Sequence, residues 1–199
     1  MKAKKNVSMK AMVLMLAVVL LIGCVAGGTM AYLMTRSATV TNTFVAGNIG
    51  TLTLDETTGS SYTIIPGKNI TKDPNVSYAL AAANDVGQVY IFVEISGGNW
   101  TYDSANNKFT AEELNWTVAD GWTHLSDNVF YMETSAAVTN KPIIADNTIA
   151  VASTITKGAD IEAAATAATG LSFTAYAIQA EGFNGNVAAA WAQAQTAVN

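Results

Sequence analysis

The chain is 199 residues long, 50% hydrophobic and only 13% charged, with one cysteine and one histidine. All 15 acids lie after position 31 with 6 of the 10 cations, so residues 32–199 carry a formal −9, which excludes a phosphate-binding role built on clustered Lys and Arg. The single His124 and single Cys24 exclude a multi-histidine metal site, a Cys-based zinc site and a disulfide framework.

Residues 1–31 read as a secretory signal peptide. Lys2, Lys4, Lys5 and Lys10 form a basic start, and Ala11 to Ile22 is an unbroken apolar run ending in Gly23, Cys24 and the small cluster Ala26-Gly27-Gly28. Cleavage is expected between Ala31 and Tyr32. Two other readings stay open. Leu21-Ile22-Gly23-Cys24 has the form of a lipobox, and Ala11 to Met34 is long enough to remain as an anchor. All three put the rest of the chain outside the cytoplasm, with the membrane a partner only before processing.

Removing the first 31 of 199 residues leaves 168, an ordinary size for one domain that is stable without disulfides. Residues 32–47 read as an N-terminal arm and 48–199 as the domain proper. Strands are predicted at Ser37–Val45, Gly50–Leu54, Ser61–Ile65, Val76–Ala82, Val89–Ser96, Asn115–Ala119, Asn128–Thr134, Asn147–Thr156 and Leu171–Ala180. Val89–Ser96 has an unbroken Val/Ile face at its odd positions, and Gly97-Gly98 ends it. Leu171–Ala180 is apolar on both faces, as a central strand is. Thr110–Leu114 reads as one helical turn, Ala159–Ala168 as an alanine-rich helix stopped by Gly170, and Asn186–Val198 as a terminal helix capped by Asn186. Short strands separated by Gly, Asn and Asp clusters predict an all-β, antiparallel sandwich with minor helices.

The chemistry in the sequence is sparse. It contains no phosphate-binding loop, no dinucleotide fingerprint and no GxSxG elbow. His124 lies three residues before Asp127 but reads as a packing histidine. Glu112-Glu113 reads as a solvated pair favoured by a helix N-terminus. Trp100, Trp116, Trp122 and Trp191 suggest a glycan groove or, more simply, core packing. Four Asn-x-Ser/Thr sequences after residue 31, at Asn69, Asn75, Asn99 and Asn115, read as chance in an Asn- and Thr-rich chain. No catalytic, metal or cofactor residue is assigned, and the protein is read as a non-enzyme.

Several segments carry a resemblance. Gly27-Gly28-Thr29-Met30-Ala31-Tyr32 and Thr41-Asn42-Thr43-Phe44-Val45-Ala46-Gly47-Asn48, followed by alternating Leu52 and Leu54, resemble the start of the TasA/camelysin family. These are secreted biofilm-matrix proteins of Gram-positive bacteria, processed by the signal peptidase SipW. Ile65-Pro66-Gly67-Lys68, Thr71-Lys72-Asp73-Pro74 and Phe173 to Phe183 are similar to further stretches of that family. Tyr32-Leu33-Met34-Thr35-Arg36 departs from its acidic F-T-D after the cleavage site.

The resemblance implies a jelly-roll domain, no cofactor and assembly into extracellular fibres. In such fibres the mature N-terminal segment adds as a strand to the next subunit, giving a head-to-tail homopolymer. A SipW-type peptidase is the processing partner, and a separate matrix or anchor protein is a further partner class. The arm residues implied are Ala38, Val40, Asn42 and Phe44, with Gly47 as pivot. Camelysin relatives have been classified as metallopeptidases, but the zinc-binding HExxH motif needs two histidines and this chain has His124 alone. A monomeric surface adhesin using the tryptophans is the remaining alternative. Mass determination of the exported protein is expected to place its N-terminus at Tyr32. A lipidated Cys24 or a retained Met1 would each replace cleavage with one of the rival readings.

Overall fold

The computed structural model describes residues 34–38, 42–43, 49–81, 87–155 and 158–196, all belonging to one unit, Leu33–Asn199. In chain order the strands are β1 (Met34–Ala38), β2 (Asn42–Thr43), β3 (Thr51–Asp55), β4 (Ile70–Thr71), β5 (Asn75–Ala79), β6 (Val89–Ser96), β7 (Thr101–Asp103), β8 (Lys108–Ala111), β9 (Leu114–Thr117), β10 (Thr123–Ser126), β11 (Val129–Thr134), β12 (Val138–Pro142), β13 (Thr148–Val151) and β14 (Ser172–Gln179). Helix α1 (Gly158–Ala168) precedes β14, and α2 (Val187–Thr196) follows it.

Every ladder among the described residues is antiparallel. The main sheet has the order β10-β11-β6-β14-β1-β2, and two smaller sheets run β12-β5-β3 and β4-β13-β9-β8-β7. Residues of all three sheets share one core, the expected antiparallel all-β arrangement of sandwich type.

Period-two alternation positions that core. On β6 the odd residues Val89, Ile91, Val93 and Ile95 point inward, and their register partners on β14 are Gln179, Ala177, Ala175 and Phe173. Small alanines opposite branched residues leave room for rings from the facing layer. Phe130 of β11 meets Phe109 at 5.9 Å and Tyr102 at 5.1 Å, while Trp116 of β9 meets Phe173 at 6.0 Å between ring centres. Trp116 also stacks on Phe109 at 4.5 Å, so aromatic contacts tie the main sheet to the β7–β9 hairpins.

The outer face of the main sheet is apolar too. Tyr90 and Phe92 on β6 and Tyr176 and Ile178 on β14 are buried, because α2 lies over them. Trp191 packs 5.3 Å from Phe92 and 5.0 Å from Tyr176, with Ala190 and Ala194 buried beside it. Asn186 starts this helix as predicted, its Oδ1 accepting the amide of Ala189 at 3.0 Å. Gly170, at φ +82, follows the end of α1.

Four expected elements differ. Ser61–Ile65 is not a strand: only a bridge between Ile65 and Lys68 closes the Pro66-Gly67 turn, since Pro66 has no N–H to give a ladder. Thr110–Leu114 is not a helical turn: Thr110 and Ala111 end β8, Leu114 opens β9, and Glu112-Glu113 form a two-residue hairpin turn between them, with Glu112 at φ +48. Burial of Phe109, Ala111, Leu114 and Trp116 on the two arms overrides the helical preference of Glu112-Glu113. The strand expected over Asn147–Thr156 covers only Thr148–Val151, because the chain turns at Ser153-Thr154. In place of one strand over Ser37–Val45, the backbone makes two, β1 and β2, paired through Ser37–Thr43 and Ala38–Asn42.

Removing the latch on the outer face has a defined expectation. Trp191→Ala should lower stability by about 3 kcal/mol in denaturant titration and raise hydrogen exchange along β14 from the outer side. An unchanged midpoint would show that α2 contributes nothing to the sheet.

Candidate functional site

Two places in the fold stand out: the ladder between β1 and β14, and the segment from Glu56 to Pro74.

At the β14 edge, one side of the strand is bonded to β6 over eight residue pairs, from Ser172–Ser96 to Gln179–Val89. The other side is bonded to β1 through Met34–Ile178, Thr35–Ala177, Arg36–Tyr176 and Ser37–Ala175. The first part of the predicted arm therefore lies in its own sheet, and β2 continues that edge. Of the predicted arm residues, Ala38 ends β1 and Asn42 opens β2, and they are register partners. Val40, Phe44 and Gly47 lie outside the described residues, as do Ala31 and Tyr32 at the predicted cleavage site.

The body is anchored just beyond the arm. Ile49 is fully buried, and the buried Tyr78 hydroxyl donates to its carbonyl. Gly50 has φ +125, and a Cβ there would stand 2.2 Å from the Ala79 carbonyl oxygen, so only glycine fits.

In the second place, Lys72 is buried at 5% exposure. Its ammonium pairs with Glu56 Oε1 at 2.7 Å, lies 5.1 Å from the centre of the Tyr62 ring and 5.6 Å from that of Phe173. Tyr62 donates its hydroxyl to the same Glu56 oxygen. Burial first, then this bond to Glu56, pushes the Tyr62 phenol up to about 12. One residue on, Asp73 accepts from the amides of Thr57 at 3.0 Å and Thr58 at 2.9 Å, and from both threonine hydroxyls. Burial raises the Asp73 carboxyl, but these four hydrogen bonds outweigh it and bring it down to about 2. Thr71-Lys72-Asp73-Pro74 thus closes the loop after β3 onto the core. Sequence reasoning noticed this stretch through the resemblance but assigned it no chemistry. A lysine flanked by Thr and Asp has no local signal of burial.

The remaining candidates separate. His124 is exposed, packs 4.5 Å from Tyr102 and bonds the Asp127 carbonyl through Nε2 at 3.0 Å. Glu112 and Glu113 are exposed on the hairpin turn. All four tryptophans are buried, Trp122 with its Nε1 donating to the Pro142 carbonyl at 2.8 Å, so none lines an open groove. Among the described residues, no three His, Cys, Asp or Glu side chains gather as a metal site. None of the helices there is long and apolar enough to cross a membrane.

No family model, curated protein or solved structure matches the chain.

Because Asp73 titrates lower in the fold than its ordinary 3.8, its contribution is present above about pH 4 and is lost as pH falls toward 2. Asp73→Asn should therefore be less stable than the parent at pH 7, by roughly 1 kcal/mol after discounting for its partial exposure. Thermal melts between pH 7 and pH 2 should show the two proteins converging at the acid end. A gap that persists at pH 2 would assign the loss to shape rather than to charge.

Proposed function

We propose that this protein is a secreted structural subunit of extracellular fibres, assembled by strand addition after removal of residues 1–31. The observation that carries the reading is the place of β1. It is the first described strand, it lies within the arm next to the end of the main sheet, with only the two-residue β2 beyond it, and it completes the hydrogen bonding of β14. If β1 leaves, β14 presents an unpaired row of N–H and C=O groups beside buried Ala175, Tyr176, Ala177 and Ile178. That is a template for an equivalent strand from a second copy.

Exchange replaces each contact in cis with the same contact in trans, so the pairing energy itself is neutral. The balance rests on the freedom of the arm and on subunit concentration. Donation from each subunit to the next is heterologous and does not close, so it generates a filament. Tethering through residues 1–31 would hold the arm until a SipW-type peptidase cuts at Ala31–Tyr32. This makes processing the switch. The anchored base at Ile49 and Gly50 would keep the body intact while everything before it moves.

The weaving of the main sheet supports a jelly-roll reading: early strands β1 and β2, middle strands β6, β10 and β11, and late strand β14 all meet in it. The resemblance to the TasA/camelysin family, the acidic cysteine-free body and the absence of a second histidine in the chain favour a matrix subunit over a peptidase. Partners on this reading are further copies of the chain, the peptidase, and a matrix or anchor protein. No nucleic acid and no cofactor is involved.

Deleting residues 32–45 from the secreted form should abolish fibres in electron micrographs. A second variant keeps the arm but locks it. Thr35→Cys with Ala177→Cys joins register partners in cis, and it should give monomers when oxidised and fibres once reduced. Undiminished fibres from the oxidised double variant, with the bond verified by mass, would rule out the arm.

A further inference from the structure

The ladder between β4 and β13 brings a buried amine and an inward-facing carboxamide to opposite positions. Ile70 pairs with Ile149, and Thr71 pairs with Thr148. The next step is the Lys72 amide donating to the Asn147 carbonyl at 2.9 Å. Lys72 and Asn147 lie just outside the two strands, Asn147 ending a 3-10 turn at φ +51, so their faces are read from burial. Ile149 is buried and Ile70 partly so, both in the core, while Thr71 is exposed. Lys72 returns to the core face and is buried. The Asn147 Oδ1 is likewise buried, and no donor among the described residues reaches it. A buried carboxamide oxygen without a partner is costly and needs a reason.

Two further features fit a reaction between these groups. Glu56, bonded to the Lys72 ammonium at 2.7 Å, is a carboxylate placed to take and return a proton. The rings of Tyr62 and Phe173 lie against the same ammonium and replace water around it. We propose that Lys72 and Asn147 are joined by an intramolecular isopeptide bond, with Glu56 as the proton carrier.

The step balances without any added reagent. Glu56 takes a proton from the Lys72 ammonium, and the freed amine leaves the carboxylate and attacks Asn147 Cγ. A C–N bond forms between Nζ and Cγ, and the bond from Cγ to the carboxamide nitrogen breaks. The departing nitrogen collects the second amine proton and the proton held on Glu56. It leaves as ammonium, and Glu56 is a carboxylate again. In the structure the amine rests on Glu56, which is the state before attack. The product joins β4 to β13 covalently and removes both the buried ammonium and the unpaired amide oxygen. This inference rests on the core around Lys72, independently of fibre assembly.

Peptide mapping of the purified, folded, exported protein tests it. Trypsin cannot cut after an acylated lysine, so residues 69–108 should remain in one piece joined to residues 109–157, lighter by one molecule of ammonia. Asn147→Ala should abolish the linked peptide, and Glu56→Gln should lower its yield roughly tenfold or more. If either variant fails to fold, the map of the parent protein decides alone. Recovery of separate peptides cut at Lys72, all at sequence mass, would overturn the proposal. So would an ammonia loss confined to Asn184-Gly185, which would be a succinimide at that turn.

Discussion

Strand β14 is covered along both edges and on both faces. β14 is bonded to β6 along one edge and to β1 along the other. Its inner face sets Phe173, Ala175 and Ala177 into the shared core, and its outer face lies under Trp191 of α2. A strand buried this fully cannot tolerate an empty edge, because each unpaired backbone group away from water costs about as much as a lost hydrogen bond. This constraint gives β1 its importance. The strand is peripheral in the sheet order, yet what it covers is not.

A different economy governs the loop between β3 and β5. It has little regular structure, with β4 contributing two residues, and its apolar content is modest. Polar groups hold it instead. Asp73 gathers the amides and hydroxyls of Thr57 and Thr58, while Lys72 and Glu56 form an ion pair against two rings. A buried ion pair adds little net stability compared with a hydrophobic replacement, and breaking it is expensive. Its effect is to specify where the loop closes. The unpartnered oxygen of Asn147, across the ladder from Lys72, is the one member of this neighbourhood left out of the polar network.

Much of the fold was legible in the chain. Val89–Ser96 matches its strand residue for residue, and Leu171–Ala180 differs by one residue at each end, because strong alternation and high β-propensity agree there. Asn186 announced the last helix through its capping chemistry. The failures share a cause. Glu112-Glu113 and Ser61–Ile65 were read from local preference, whereas the hairpin and the turn at Pro66 follow from what their neighbours bury. The short strands β4, β7, β8, β10 and β12 escaped because two to five residues carry no measurable period. The candidate site was legible in part. Composition and resemblance drew attention to residues 32–47 and to Thr71-Lys72-Asp73-Pro74, but not to β14 as the strand that β1 pairs with or to Asn147.

The class of the body follows from the chain's own patterning. Period-two alternation, scarce charge and the lack of cysteine leave an antiparallel sandwich as the economical way to bury its apolar faces. Long-range packing fixes which strand lies beside which, and so which edge β1 completes and which residue pairs with Lys72. Pairing partners here are up to about 140 residues apart, as with Met34 and Ile178. Local propensity specifies that a segment will be extended. The choice of neighbour is made by the burial of both faces at once, which no window of sequence contains.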